Sequence, residues 1–276
     1  MKTFTKENML ELWKREEDSS GEDNGQITII GGSKLFHGAP IFSLKAASRL
    51  VDMVFFGSPE PSVGEVVAKI KSKLSAFIWV PWEEIGEYVS KSEATLIGPG
   101  FLRFHSEKVP HEQRFASCDE ACKQTTEITR KLLTNYPDKK WVIDGGSLQV
   151  LQKEWIPEGA VITPNNKEYR ALFGNADIEE MARKHKCVIV TKGPVYKVTD
   201  GRTSYEIGGG NAGLTKGGVG DTLAGIIVGL LAKNPPVLAA AAGSFLIKRT
   251  AEKLFEKVGY NFSADDVAEN VFLNVV

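Results

Sequence analysis

The chain has 276 residues, 42% of them apolar and 25% charged, with 34 basic side chains against 35 acidic ones. That length and balance suit a soluble globular chain of one large α/β domain or two small ones. A net charge of −1 leaves no basic excess for nucleic acid, no run of eighteen apolar residues offers a membrane span, and the polar N-terminus has no secretory apolar core.

Residues 1–18 predict a polar helix with Met9, Leu10 and Trp13 on one side, followed by a turn-rich linker over 19–25. From there strands and helices alternate. Strands are expected at 26–30, 53–57, 76–80, 94–97, 141–144, 161–163 and 188–191, each a short apolar or β-branched run. Helices are expected at 39–50, 63–74 and 119–135 between them. The runs 195–199 and 203–207 flank Asp200-Gly201-Arg202 and read as a hairpin. The remainder turns helical over 221–232, 237–256 and 264–271. Apolar strands separated by helices imply βαβ units and a mainly parallel sheet covered on both faces. With no repeat or low-complexity block, residues 26–276 read as one α/β domain after the N-terminal piece 1–25.

Ligands of parallel α/β sheets bind beyond the carboxyl ends of the strands. Five expected strands end in Gly31-Gly32-Ser33, Gly98-Pro99-Gly100, Asp144-Gly145-Gly146, Thr163-Pro164-Asn165-Asn166 and Thr191-Lys192-Gly193. Any one of these is an ordinary turn; five together should meet on one rim. The sharpest local signal is Asn211-Ala212-Gly213-Leu214-Thr215-Lys216-Gly217-Gly218-Val219-Gly220-Asp221, which runs straight into a helix. Backbone N–H groups at a helix start, with the helix dipole, make an anion site. Gly217, Gly218 and Gly220 keep the loop open to phosphate oxygens. No Lys-Ser/Thr follows the glycines, so the loop is not of Walker type. Asp221 in the first turn is either a residue stabilised by the dipole or a general base beside a phosphoryl group.

These residues resemble the ribokinase-like superfamily and, within it, the ADP/ATP-dependent NAD(P)H-hydrate dehydratases, over residues 26–273. Gly31-Gly32-Ser33 with Gly38-Ala39-Pro40 is similar to that family's first loop, and Ile97-Gly98-Pro99-Gly100 to its second glycine turn. Val142-Ile143-Asp144 is similar to its aspartate-ending strand, and Thr191-Lys192-Gly193 to its nucleotide turn. Gly217-Gly218-Val219-Gly220-Asp221-x-Leu223-Ala224-Gly225 is similar to its Gly-Gly-Thr-Gly-Asp-x-Leu-Ala-Gly signature. Thiazole-type kinases usually carry Cys where Asp221 stands.

The resemblance implies a three-layer ribokinase-like fold and dehydration of NADHX or NADPHX. The nucleotide, ATP or ADP with Mg²⁺, would phosphorylate the hydrate hydroxyl, and phosphate elimination would follow. It assigns Asp221 as the base that also contacts substrate. Gly217, Gly218 and Gly220 would hold phosphate, Lys192 and Gly193 the nucleotide, and Ala39, Gly100 and Asn165 the hydrate. No protein-held metal site is expected. The sequence departs from the pattern at Asn165, usually His, at Val219, usually Thr, at Gly146, often a second Asp, and at Phe101-Leu102-Arg103, usually Leu-Gly. A kinase acting on a sugar or vitamin alcohol, and a non-catalytic nucleotide binder, share the same loop and stay as alternatives. The upstream epimerase domain often fused in this family is not expected within residues 1–25. Homo-oligomers are common in the family.

Cys118, Cys122 and Cys187 are an odd, small set, expected as reduced thiols in a cytoplasmic setting rather than as a metal site. His37 is expected as a solvated loop residue, and His105, His111 and His185 show no metal-ligand spacing. The apolar helix over 237–255 is expected as buried core rather than as an interface.

Overall fold

A computed structural model describes residues 1–102, 118 and 120–272; Arg103, His105 and His111 lie outside the described residues. The strands are β1 (Lys2–Thr3), β2 (Gln26–Ile30), β3 (Met53–Gly57), β4 (Ile78–Trp79), β5 (Ala94–Ile97), β6 (Lys140–Ile143), β7 (Val161–Ile162), β8 (Val188–Thr191), β9 (Tyr196–Thr199) and β10 (Ser204–Ile207). They form one sheet in the order β1-β10-β9-β8-β7-β6-β5-β2-β3-β4. Pairing is parallel from β8 through to β4, and β9 pairs antiparallel with both β8 and β10.

The helices are α1 (Gly38–Ala47), α2 (Pro61–Ile70), α3 (Ile85–Lys91), α4 (Glu120–Asn135), α5 (Gly145–Val150), α6 (Asn166–Phe173), α7 (Ile178–His185), α8 (Val219–Leu231), α9 (Pro236–Val258) and α10 (Ala264–Asn270). Successive strand residues point to opposite faces, and here both faces are apolar. Ile27, Ile29, Val54, Phe56, Leu96, Val142 and Val190 join the core under α1, α8 and α9. Ile30, Phe55, Ile97, Trp141, Ile143 and Ile189 join the core on the other face. The expected three-layer α/β architecture is therefore present. Helix α9 is core, with residues from Leu238 to Ala251 largely buried. Its neighbour α8 meets α1 at a glycine: a Cβ on Gly225 would lie 2.3 Å from the Ser43 carbonyl oxygen, a separation no side chain tolerates.

Two expectations are corrected. The polar helix over 1–18 is not formed. Residues Lys2–Thr3 instead pair with β10 as an edge strand, and only a 3₁₀ turn follows at Glu7–Glu11. Phe4 explains the difference: it is buried against Tyr205 and Phe245, and burying an aromatic ring outweighs a weak local helix preference. Cys118 and Cys122, expected as reduced thiols, form a disulfide. One lies just before α4 and the other in its first turn, with Cα atoms 5.4 Å apart, within bridging range. Cys187 is a buried thiol.

The chain runs outward through β2, β3 and β4, then returns to place β5 on the other side of β2. At this reversal of strand order the two glycine turns interlock. The Gly32 N–H donates to the Pro99 carbonyl at 2.8 Å. Carboxyl ends of strands at such a switch are where open α/β sheets take ligands. No helix among the described residues is long and apolar enough to cross a membrane.

Candidate active site

A cavity of about 740 Å³ opens beyond the carboxyl ends of β6, β7 and β8, a size that suits a small-molecule ligand. Its glycine-loop wall is prepared by local chemistry. The Asn211 side-chain oxygen accepts from the Gly213 N–H, and its amide donates to the Ala251 carbonyl at 2.7 Å. Lys216 is drawn the other way, donating to the carbonyls of Tyr260 and Phe262. Between these anchors the chain turns through Gly218, whose φ of 92° is left-handed and which caps α8. A Cβ there would also fall 2.4 Å from the Phe42 ring. Glycine is thus required twice over, by backbone and by space.

The first turn of α8 then faces the cavity, with Gly217, Gly218, Gly220 and Asp221 among its lining residues. The Ser43 hydroxyl donates to the Asp221 carbonyl at 2.8 Å, so α1 fixes the turn that carries the carboxylate. Opposite, Lys192 directly follows β8. A methyl group on Gly220 would lie 3.5 Å from the Lys192 Nζ. That ammonium donates to Asp144 Oδ1 at 3.2 Å, and the Thr163 hydroxyl donates to the same oxygen at 2.6 Å. Burial works against the charge on Lys192, but Asp144 and Glu168 outweigh it and hold its pKa above the ordinary value. A cation fixed across from a helix N-terminus makes a site for a polyanion.

Asn165 also lines the cavity, and it is the N-cap of α6. Its Oδ1 accepts from the N–H groups of Lys167 and Glu168, while Glu168 Oε2 accepts from the Asn165 N–H. This capping box is a structural reason for Asn at that position. Ala39 and Gly100 stand apart. They adjoin each other, with a Cβ on Gly100 lying 3.2 Å from the Ala39 Cβ, yet neither lines the cavity. Their link to it runs through Gly145, a lining residue packed on Gly98 and Pro99.

So Asp221, Lys192, Gly193, Gly217, Gly218, Gly220 and Asn165 meet around one cavity, and Ala39 with Gly100 forms a neighbouring rim. Sequence reasoning left Glu168, Tyr196 and Lys248 off the site, although all three line it. Lys248 carried a readable sign: a charged residue on the inward stripe of an otherwise apolar helix. Tyr196 carried none. His37 is not free in its loop, since its Nε2 lies 3.2 Å from the Ser62 hydroxyl, which itself donates to Glu60.

The chain matches the family described as NAD(P)H-hydrate dehydratase over residues 27–272. It is 32% identical to the bifunctional NAD(P)H-hydrate repair enzyme Nnr of Methanocaldococcus jannaschii over 94% of this chain and 50% of that protein. The chain thus spans about half the length of the bifunctional relatives. It is 27% identical to the ADP-dependent (S)-NAD(P)H-hydrate dehydratase of Cenarchaeum symbiosum, covering 92% of this chain and 90% of the relative. Among solved structures, a ribokinase-like superfamily protein of Enterococcus faecalis superposes with a TM-score of 0.82 at 22% identity, over 99% of this chain and 95% of the other. The ADP/ATP-dependent NAD(P)H-hydrate dehydratase of Bacillus subtilis, co-crystallised with ATP/Mg²⁺, gives 0.76 at 19% identity, over 100% and 99%. At these identities the two structures establish the shared fold.

Proposed function

Because the chain belongs to the NAD(P)H-hydrate dehydratase family, we propose that it returns NADHX and NADPHX to NADH and NADPH with ATP or ADP as phosphoryl donor. One observation carries the reading. The Asp221 carboxylate, the start of α8 and the Lys192 ammonium surround a single cavity.

The chemistry follows from the positions. Asp221 accepts the proton of the hydrate hydroxyl as its oxygen attacks the terminal phosphorus. The new O–P bond forms as the bond to the leaving nucleotide breaks. Gly218 and Gly220 at the helix start, with Lys192, hold the charge that develops on the phosphoryl oxygens. The phosphate then leaves with the C–O electron pair, a proton departs from the adjacent ring carbon, and the double bond is restored. The products are the reduced nicotinamide nucleotide, a nucleotide one phosphate shorter, and inorganic phosphate.

No cluster of three or more metal-ligating side chains occurs among the described residues. The lining groups do fit a metal that arrives with the nucleotide, because Asp144 and Glu168 offer hard oxygen donors and the lining contains no Cys or His. Mg²⁺ held there would neutralise phosphate charge.

The test is direct. Purified protein with NADHX, Mg²⁺ and ATP or ADP should yield NADH absorbance and an equal amount of inorganic phosphate. Absence of both sinks the proposal. A phosphorylated alcohol without phosphate release identifies a kinase instead. Nucleotide binding without turnover, unchanged in Asp221→Asn, identifies a non-catalytic binder.

A further inference from the structure

The cavity wall contains a second buried charge, Lys248, that phosphate handling by Lys192 and the start of α8 does not use. Lys248 sits in the middle of α9, beside the fully buried Ser244, Ile247 and Ala251, and is itself only 1% exposed. It lines the cavity together with Gly193, Tyr196 and Leu214. Its Nζ donates to the Pro194 carbonyl at 2.7 Å and to the Gly209 carbonyl at 2.9 Å. It also lies 4.3 Å from the centroid of the Tyr196 ring. One ammonium therefore joins the turn after β8 to the glycine loop after β10.

Two carbonyls take two of its three N–H groups. Among the described residues no carboxylate reaches ion-pair distance. Glu252, one turn along α9, is committed to the Gly210 N–H and to Arg249. Burial pushes the Lys248 pKa down to about 8, with Glu252 acting in the opposite direction. A buried cation without a paired anion destabilises a fold, and an apolar residue of similar volume is often better tolerated. A cation held at that disadvantage on a cavity wall is a candidate for ligand contact.

We propose that Lys248 is a nucleotide-binding residue, whose remaining N–H donates to a lone pair on the nucleoside part of the nucleotide. A base-ring nitrogen or a ribose oxygen would supply that lone pair. The same ammonium ties together the two loops that enclose the nucleoside. This rests on the reading of the cavity as a nucleotide site, and it adds a recognition element on the loops of Pro194 and Gly209.

Binding of ADP and of inorganic tripolyphosphate, measured calorimetrically at pH 7 with Mg²⁺, tests it on wild type, Lys248→Met and Lys248→Gln. Removing a charged donor should weaken ADP by on the order of tenfold or more and leave tripolyphosphate within about twofold of wild type. ADP binding within twofold of wild type overturns the proposal, and so does equal weakening of both ligands. Should neither variant fold, wild type alone decides. ADP affinity should fall as pH rises past about 8 while tripolyphosphate affinity does not, and a flat ADP profile overturns the proposal. The other groups facing Lys248 are Glu252 and Arg249 on α9 and Tyr196 on β9. Burial holds Tyr196 above its ordinary pKa, so it stays neutral across that window. Wild type that binds neither ligand refutes the nucleotide site itself, a result distinct from failure of the Lys248 assignment.

Discussion

The two sides of the site are built from different material. On the proposed phosphate side the groups facing the cavity are mostly backbone: a glycine turn at Gly217-Gly218, the first turn of α8, and one cation, Lys192, held by Asp144. On the rim of Ala39 and Gly100, glycine turns pack on one another, and the space left between them is set by how β2 and β5 meet. The contrast teaches that an anion can be bound by local conformation, which a short motif encodes. A shaped organic substrate has to be bound by tertiary placement. Asn165 stands between the two sides, facing the cavity while spending its side-chain oxygen on a helix cap.

The largest effect should come from the phosphate side. Asp221→Asn should lower kcat by about 100- to 10,000-fold, the range for loss of a general base, with ADP affinity changed only slightly. Equal loss of affinity would make Asp221 a structural acid at the dipole instead. Lys192→Met should weaken ADP by about 10- to 100-fold, as expected for a charged hydrogen bond of roughly 1.5–3 kcal/mol, because it also strands Asp144. An unchanged Kd would mean that the phosphates avoid β8.

Gly225→Ala is the control in the scaffold beneath both sides. Its Cβ would meet the Ser43 backbone, so urea unfolding should show a loss of about 1–3 kcal/mol, more than the same change at an open glycine. Asn165→Ala should be mildest, at about 1 kcal/mol of stability for a lost N-cap, with little change in kcat. A kcat loss rivalling that of Asp221→Asn would move Asn165 from capping into the chemistry and erase the contrast.

Lys248 adds a pH arm. Its pKa falls from 10.5 unfolded to about 8 folded, so between those values the unfolded chain binds more protons, and stability should rise with pH across that window. Lys248→Met should abolish that rise, read as the melting temperature at about pH 8 and pH 10.

Strands β2, β3, β5 and β8 stand where the sequence expects them, because each is a short run rich in apolar and β-branched residues, almost all of them buried. The hairpin β9–β10 stands around Asp200-Gly201-Arg202 for an equally local reason: Asp200 Oδ1 accepts from the N–H groups of Arg202 and Thr203. The glycine loop is legible for the same cause, since helix start, left-handed turn and acidic first-turn residue are adjacent in the chain.

What escaped the sequence involves partners far apart. β1 exists only because β10 offers an edge about two hundred residues away and Phe4 finds a pocket there. The Cys118–Cys122 bridge was within reach of the spacing, but its formation depends on how the chain enters α4. Lys248 is visible as a charge out of pattern, yet nothing in its neighbours reveals that it would meet Pro194, Gly209 and Tyr196. The sequence by itself determined the alternation of strands and helices and the glycine loop that starts α8, both set by interactions within a few residues. Only the tertiary structure decided which residues share the cavity with that loop, because burial and hydrogen bonding between distant segments depend on the packed sheet and not on order along the chain.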